Sequence, residues 1–387
     1  MANHHNYGKQ CIEERRQLDG GIFEISSRVD VNTKEDLSRV YTPGVAAPCL
    51  VIADDKKESF NLTSRRNSVA IISDGTAVLG LGDIGPEAAL PVMEGKAILF
   101  KKFAGVDAIP LVVDLTEVDK LEAFVRAVAP TFGGINLEDI SAPRCVELVE
   151  RLDDLGIPLF HDDQDGTAVV VYAALKNALK VTGQKIEDLK VVVNGAGAAG
   201  YAITKMLTRF EPRPKEILVC DSKGIMNNKR ELAFHKKKMF DMPGVVEGEG
   251  DLAHAMQGAN LFIGVSKADV VTPEMVKSMA KDPIVFALAN PDPEILPSLA
   301  LEAGAAVVGT GRSDFDNQIN NALVFPGLFR GALDAGADRI TGEMMFAAAH
   351  ALAGLIENPT STHIIAQPLD KGVGNVVAKA VYDSWQK

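Results

Sequence analysis

The stretch VVVNGAGAAG, residues 191–200, restricts the fold of this chain more than any other feature. Three valines make a strand-like run. Gly195, Gly197 and Gly200 follow in G-x-G-x-x-G spacing, and the helical pattern GYAITKMLTRF comes next. The spacing alone is weak, but between a buried strand and a helix it is a dinucleotide-binding fingerprint. The first glycine permits the tight turn, the second lets a pyrophosphate approach the backbone, and the third lets helix and strand pack closely. The helix N-terminus adds partial positive charge where the phosphates would lie. A glycine turn selected only for packing is the competing reading, and the flanking strand and helix argue against it.

The rest of the chain repeats the same alternation. SVAIISDG, AIPLVVDL, GINLEDI and GIPLFHDD read as buried strands before residue 165, separated by helical patterns such as PEAALPVMEGKAILFKKFAG. Pro91 in that pattern must fit the helix's first turn or a kink. After residue 165 come the helix GTAVVVYAALKNALKVTG and the strands EILVCDSKG, NLFIGVS, PIVFALANPDP and AAVVGTGRS. Apolar strands alternating with helices predict parallel sheets covered on both faces. The 387 residues predict an α/β protein of two domains. These are an N-terminal α/β domain over 1–164 and a Rossmann-type, doubly wound domain over 165–387. Residues 1–40 read as a charged lead-in. No repeat or low-complexity segment is present.

Charge and cysteine usage exclude several classes. A net charge of -12 repels nucleic acid and anionic membrane. Cys11, Cys49, Cys145 and Cys220 lack Cys-x-x-Cys spacing, which argues against a zinc knuckle or a disulfide scaffold. The start MANHHNYGKQ has no apolar signal core, and no apolar run approaches the ~20 residues of a membrane span. A cytoplasmic protein is expected.

Carboxylates mark a second site. Glu138 and Asp139 end one predicted strand, and Asp162 and Asp163 end another after a single crossover helix. If the strands are parallel neighbours, acids 24 residues apart meet at one sheet edge, where open α/β sheets bind ligands. Glu138, Asp139 and Asp163 without clustered Cys or His suit Mg²⁺ or Mn²⁺. The competing reading is helix capping, and for Asp165, ahead of the helix at Gly166, capping is the better reading.

Three further residues stand out. Lys96 lies on the helical stripe of Ala89, Val92, Met93, Ala97 and Phe100. It either snorkels to the rim, which periodicity favours, or is desolvated with a lowered pKa. Asp221 ends EILVCD, 21 residues after Gly200, and would accept from a ribose 2′-hydroxyl, favouring NAD. Ser222 and Lys223 follow at once and leave NADP open. Tyr41, in VYTPGVAAPC, reads by itself as a packed aromatic beside a turn.

Taken together the segments resemble malic enzymes of the short prokaryotic type, over nearly the whole chain from about residue 20. The resemblance is carried by VYTPGVAAPC, DGTAVLGLGDIGPEAALPVMEGKAILF, INLEDISAPRC, FHDDQDGTA, NGAGAAG, ANPDPE and NQINNALVFPG. No fused acyltransferase segment is expected before the chain stops at Lys387. The resemblance implies oxidative decarboxylation of L-malate to pyruvate and CO₂ with NAD, or NADP, and Mg²⁺ or Mn²⁺. It assigns the metal to Glu138, Asp139 and Asp163, the base to Lys96, the acid to Tyr41, and an auxiliary proton-transfer role to Asp162. Asn290 would contact substrate and nicotinamide, and Asn321 substrate. It further implies a homodimer or larger assembly, and a tail over about 335–387 packed on the N-terminal domain or a partner subunit. One departure stands out: Ala77 occupies the place of a carboxylate-gripping arginine of the longer eukaryotic-type enzymes. Arg144 or a backbone amide would have to serve instead. An oxaloacetate-decarboxylating or malolactic enzyme, or a non-catalytic nucleotide-binding protein, shares most of these motifs.

Overall fold

The computed structural model describes residues 2–18, 21–78, 80–209 and 211–385. It opens with α1 (Ala2–Gln17), α2 (Lys34–Val40), α3 (Ala46–Asp54) and the single turn α4 (Ser59–Leu62). A capping box starts α2: the Thr33 side chain accepts from the Asp36 N–H, and the Asp36 carboxylate accepts in return. Yet neither α2 nor α3 buries any residue. Leu37, Val40, Tyr41, Leu50 and Val51 all stay exposed.

The first sheet is built by β1 (Ser68–Ser73), α5 (Pro86–Ala104), β2 (Asp107–Val112), α6 (Val118–Val128), β3 (Gly134–Leu137), α7 (Arg144–Arg151) and β4 (Leu159–His161). Its order is β2-β1-β3-β4, parallel throughout. Every residue of β1 is buried, as a parallel strand covered on both faces requires. Pro86 opens α5, left-handed Gly105 (φ 65°) ends it, and Pro91 is carried inside the helix.

The connection to the second sheet is α8 (Thr167–Thr182), a helix buried on nearly all sides. Then follow β5 (Lys190–Asn194), α9 (Ala198–Arg209), β6 (Glu216–Asp221), β7 (Gly224–Ile225), α10 (Phe234–Met239) and β8 (Val245–Val246). The domain continues with α11 (Leu252–Met256), β9 (Leu261–Gly264), α12 (Pro273–Lys277), β10 (Ile284–Ala287), α13 (Pro297–Glu302) and β11 (Val307–Thr310). Strand order is β11-β10-β9-β5-β6-β7, with β8 on β6; only β7 is antiparallel. This is the doubly wound arrangement. Strand order reverses at β5, so a crevice opens at its C-terminal end, where Gly195 stands.

One continuous core runs from Ile71 and Phe160 of the first sheet, through Val170 of α8, to Val193 and Ile263 of the second. A smaller cluster around Val192, Phe262 and Val285 covers the second sheet's other face. Three helices, α14 (Phe325–Ala335), α15 (Gly342–Gly354) and α16 (Val373–Ser384), complete the chain. α16 packs on α14 and α15 and reaches α5 of the first sheet. Among the described residues, no helix is long and apolar enough to cross a membrane.

Candidate active site

Strand pairing brings the acids together. β3 and β4 are parallel neighbours with Leu137 opposite His161, so the residues that follow each strand leave the same edge. Asp139 turns there in the left-handed region (φ 53°), a conformation Asp tolerates better than most side chains. Its N–H donates to Asp163 Oδ2 at 2.8 Å. Glu138, Asp139 and Asp163 each offer an oxygen within 4.8 Å of the others'. Asn136 steadies Glu138, donating from Nδ2 to Oε2 at 3.0 Å.

These carboxylates lack the partners that burial demands. Asp139 Oδ2 and Asp162 Oδ1 are buried without any hydrogen bond. Burial, reinforced by Asp163, pushes the Asp139 carboxyl up to about 8. Burial likewise raises Glu138, against the pull of Lys96. Oxygen-only ligands with orphaned buried atoms fit a hard divalent cation.

The segment after β4 departs from expectation. Asp162–Gly166 forms a π turn that runs directly into α8, and the helix begins without any side-chain cap. Asp165 therefore sits inside the turn and is not a cap. The wide turn aims Asp162 inward, and a Cβ on Gly166 would strike Asp162 Oδ1. The same Cβ would lie 3.3 Å from Asn321 Cβ, so Asn321 stands beside this carboxylate. His161 is fully buried, and burial pushes its imidazole down to about 4.

Lys96 does not snorkel. It is 7% exposed and faces the acids together with Met93, Ala97 and Phe100, while Val92 of the expected stripe is exposed. Its ammonium lies 2.6 Å from Glu138 Oε2, donates to Asp162 Oδ2, and sits 4.3 Å above the Phe325 ring. Burial lowers its pKa, but Asp162, Glu138 and Asp163 more than reverse that, and the net direction is upward. The lowered pKa that desolvation alone predicts is thus overturned by three neighbouring acids. Asp162 is pushed up to about 6 by burial, with Lys96 opposing.

The remaining candidates divide. Arg144 is already engaged: Nη1 donates to Asp74 (2.6 Å) and the Thr116 carbonyl (2.9 Å), and Nη2 to Thr76 (2.6 Å) and Ser141 (3.0 Å). It is a brace for the loops bearing Thr76 and Ser141, not a ready anchor for a carboxylate. Ala77 donates its N–H to the Asp139 carbonyl at 2.9 Å, so that amide too is used. Asn290 follows β10 and donates to the Leu288 carbonyl at 3.2 Å. Its own carbonyl would lie 3.0 Å from a Cβ at Gly80, which places it against the first domain's loop. Tyr41 is 67% exposed. A packed aromatic it is not.

At the crevice of the second sheet, a Cβ on Gly195 would strike the Val265 carbonyl and one on Gly200 the Gly195 carbonyl, while Gly197 faces open space. The first and third glycines are thus needed for packing, and the second leaves room for a ligand. Asp221 closes β6 beside them. Sequence reading missed Glu294, which accepts from Ser266 N–H (2.9 Å) and Ala289 N–H (3.0 Å) and so ties β9 to β10 below Asn290. The PDPE segment that holds it was the available signal.

Residues 23–123 match the family "Malic enzyme, N-terminal domain", and residues 164–383 match "Malic enzyme, NAD binding domain". The chain belongs to the malic enzyme family. The "Bifunctional malic/malolactic enzyme" of Bacillus subtilis is 52% identical over 94% of this chain and 90% of its own length. The "NAD-dependent malic enzyme" of Geobacillus stearothermophilus is 50% identical, over 94% of this chain and 77% of its own. Among solved structures, the NAD-dependent malic enzyme of Thermotoga maritima superposes with a TM-score of 0.92 at 47% identity, covering 97% of this chain and 99% of that one. The malic enzyme fold thus accounts for both sheets.

Proposed function

We propose that the protein oxidatively decarboxylates L-malate to pyruvate and CO₂, reducing NAD⁺ or NADP⁺. The observation that carries this reading is the buried ammonium of Lys96 set between Glu138 and Asp162, beside a carboxylate trio shaped for Mg²⁺ or Mn²⁺. Glu138, Asp139 and Asp163 would hold the cation; Gly195, Gly197, Gly200 and Asp221 would hold the dinucleotide, with Asn290 near the nicotinamide. When bound, these groups would supply a hydride acceptor and Lewis-acid stabilisation of the oxygen that becomes negative. Lys96 then accepts the C2 hydroxyl proton, with Asp162 as the adjoining station for it. Asn321, beside Asp162, orients the substrate.

Tyr41 would protonate C3 of the enolpyruvate, which requires it to leave solvent. The unburied apolar helices around it are the face of a molecule that docks, and we assign that docking to a second copy of the chain, which brings Tyr41 into the copy's site. Mixing inactive Tyr41→Phe and Lys96→Ala chains should then restore about a quarter of wild-type activity, through half the dimers having one intact site. No recovery would place Tyr41 in its own subunit's site.

The deciding assay follows reduced nicotinamide, pyruvate and lactate together, from L-malate with Mn²⁺. Equal formation of nicotinamide product and pyruvate is expected, lost in Lys96→Ala while NAD still binds. Lactate without net nicotinamide reduction would favour malolactic chemistry, the second activity named for the Bacillus subtilis relative. Pyruvate formed only from supplied oxaloacetate would make the chain a decarboxylase.

A further inference from the structure

One buried carboxylate ties together the ends of three neighbouring strands, β5, β9 and β10. They run side by side, with Asn194 opposite Gly264 and Gly264 opposite Ala287, so the residues that follow them leave one edge. Glu294, fully buried, reaches back across that edge. Its Oε1 accepts from the Ser266 N–H at 2.9 Å and from the Ser266 hydroxyl at 3.1 Å, just past β9. Its Oε2 accepts from the Ala289 N–H at 3.0 Å, just past β10. The Ser266 hydroxyl in turn accepts from Asn194 Nδ2 at 2.8 Å and carries the tie on to β5. Gly264 leaves the room for this: a Cβ there would lie 2.4 Å from the Glu294 carboxyl carbon. None of these partners is a cation. Burial raises the Glu294 carboxyl above its ordinary range, and the Ser266 and Ala289 N–H groups oppose that.

The geometry points to Glu294 as the positioning residue of the nicotinamide end: it fixes the separation between the glycine turn at Gly195 and Asn290, without touching the cofactor itself. This inference rests on the nucleotide reading proposed above, which puts the pyrophosphate at Gly195 and the nicotinamide near Asn290. Gly195 follows Asn194, and its Cα packs against the carbonyl of Val265, the residue before Ser266. Asn290 follows Ala289. Each of the two anchors of the reactive half is thus next in chain to a group that the carboxylate holds, directly or through Ser266. The adenosine half would lie toward Asp221 at the end of β6, on the other side of β5, and the bonds of Glu294 do not extend there. A neutral amide of the same shape cannot serve, because its Nε2 is a donor and would face one of the two main-chain N–H groups. A reacting group must be held within about 0.5 Å, and such buried bonds behind the contact residues are what hold it.

Glu294→Gln keeps the volume and loses one main-chain bond. Calorimetric titration without malate or metal should show NAD weakened about tenfold and 5′-AMP, a probe of the adenosine half alone, within about twofold of wild type. Ser266→Ala keeps both N–H groups on Glu294 and removes only the relay to Asn194. It should weaken NAD about threefold, again sparing 5′-AMP, and it decides the matter if Glu294→Gln does not fold. With malate and Mn²⁺ at saturating NAD, kcat of Glu294→Gln should fall about tenfold or more, because a displaced ring reacts slowly even when bound. A tie that served only the scaffold would lower the melting temperature and leave the ratio of NAD to 5′-AMP affinity as in wild type. That ratio unchanged in both variants, or a kcat equal to wild type in Glu294→Gln, would overturn the inference. Wild type that binds neither nucleotide would sink it together with the nucleotide reading. Wild type that binds both without turning over malate would count against the enzymatic reading alone, and the affinity ratio would still decide for or against Glu294.

Discussion

Replacing Gly327 by alanine should cost stability and activity together. Gly327 is the third residue of α14, on the face that meets α16. A Cβ there would lie 2.6 Å from the Gly374 carbonyl oxygen, 2.8 Å from Val377 Cβ and 3.0 Å from Val377 Cγ1. Carbon contacts are comfortable at ~3.5–4.0 Å, so the two helices must part by roughly 1 Å. The nearest obstacle is backbone, which cannot rotate away as a side chain can. Nor can α16 retreat freely, because Gly374 itself abuts the Phe103 carbonyl at the end of α5. Overpacking of this kind costs about 1–3 kcal/mol, and alanine's better helix propensity returns at most ~1 kcal/mol. The net loss is about 1–2 kcal/mol, a fall in melting temperature of about 2–6 °C for domains this size. Gly354→Ala is the control: nothing lies within 4 Å of its Cβ position, so it should be neutral or slightly stabilising. Activity should fall too, because Phe325, two residues before Gly327, packs under the Lys96 ammonium at 4.3 Å. A displacement near 1 Å at a reacting group can cost ~10²-fold in rate. The assay is thermal unfolding of the three proteins at one scan rate, paired with initial rates on L-malate. If Gly327→Ala melts at or above wild type, or Gly354→Ala falls equally far, the packing argument is wrong.

Asp163→Asn removes a ligand charge and should raise the Mn²⁺ concentration for half-activation by about tenfold or more; an unchanged requirement would return these acids to a structural role. Arg144→Lys cannot bridge Asp74, Thr76 and Ser141 at once, so kcat/KM should drop about tenfold with the melting temperature lowered by only a few degrees, and parity with wild type would show the brace to be dispensable. His235, buried with Nε2 2.9 Å from the Ala196 carbonyl, is held below its ordinary value by burial. Its unfolded form gains a proton first as pH falls through about 6.5, so the stability it contributes is present above that pH and lost below it. His235→Gln should flatten the fall in melting temperature between about pH 7 and 5, and an identical slope would assign that fall to other groups.

Most of the scaffold was legible because periodicity reports burial. The valine run 191–193 reads as a strand covered on both faces because a glycine turn closes it, whereas the run 169–171 lies in the longer helical pattern of α8; the glycine spacing after 193 placed the crevice. The acid edge was legible for the same reason: one crossover between parallel strands forces residues 138–139 and 162–163 together. What stayed hidden depends on three-dimensional neighbours. The π turn at Asp162–Gly166 has no one-dimensional signature, so Asp165 read as a cap. Arg144's engagement needed Asp74 and Thr116, which lie 70 and 28 residues away. Tyr41's exposure could not be foreseen from a Tyr-Thr-Pro-Gly turn, because whether an aromatic beside a turn is covered depends on what packs over it in three dimensions.

The two readings of Lys96 are reconciled by counting charge. Glu138, Asp139, Asp162 and Asp163 face one ammonium, so the cluster with every group ionised carries an excess of three negative charges. Protons can offset part of that excess, and the upward shifts of Asp139 to about 8 and Asp162 to about 6 express that demand. A proton, however, leaves the orphaned oxygens of these carboxylates without partners. A divalent cation held by Glu138, Asp139 and Asp163 would offset two charges and would give the orphaned Asp139 oxygen a partner, which protonation does not. It also draws on Glu138, one of the two carboxylates that hold Lys96 charged. With that attraction shared and a second positive charge close by, the balance on Lys96 would shift toward the neutral amine, which burial also favours. The same position that keeps the lysine protonated among free acids would therefore make it a better base once the acids held a metal.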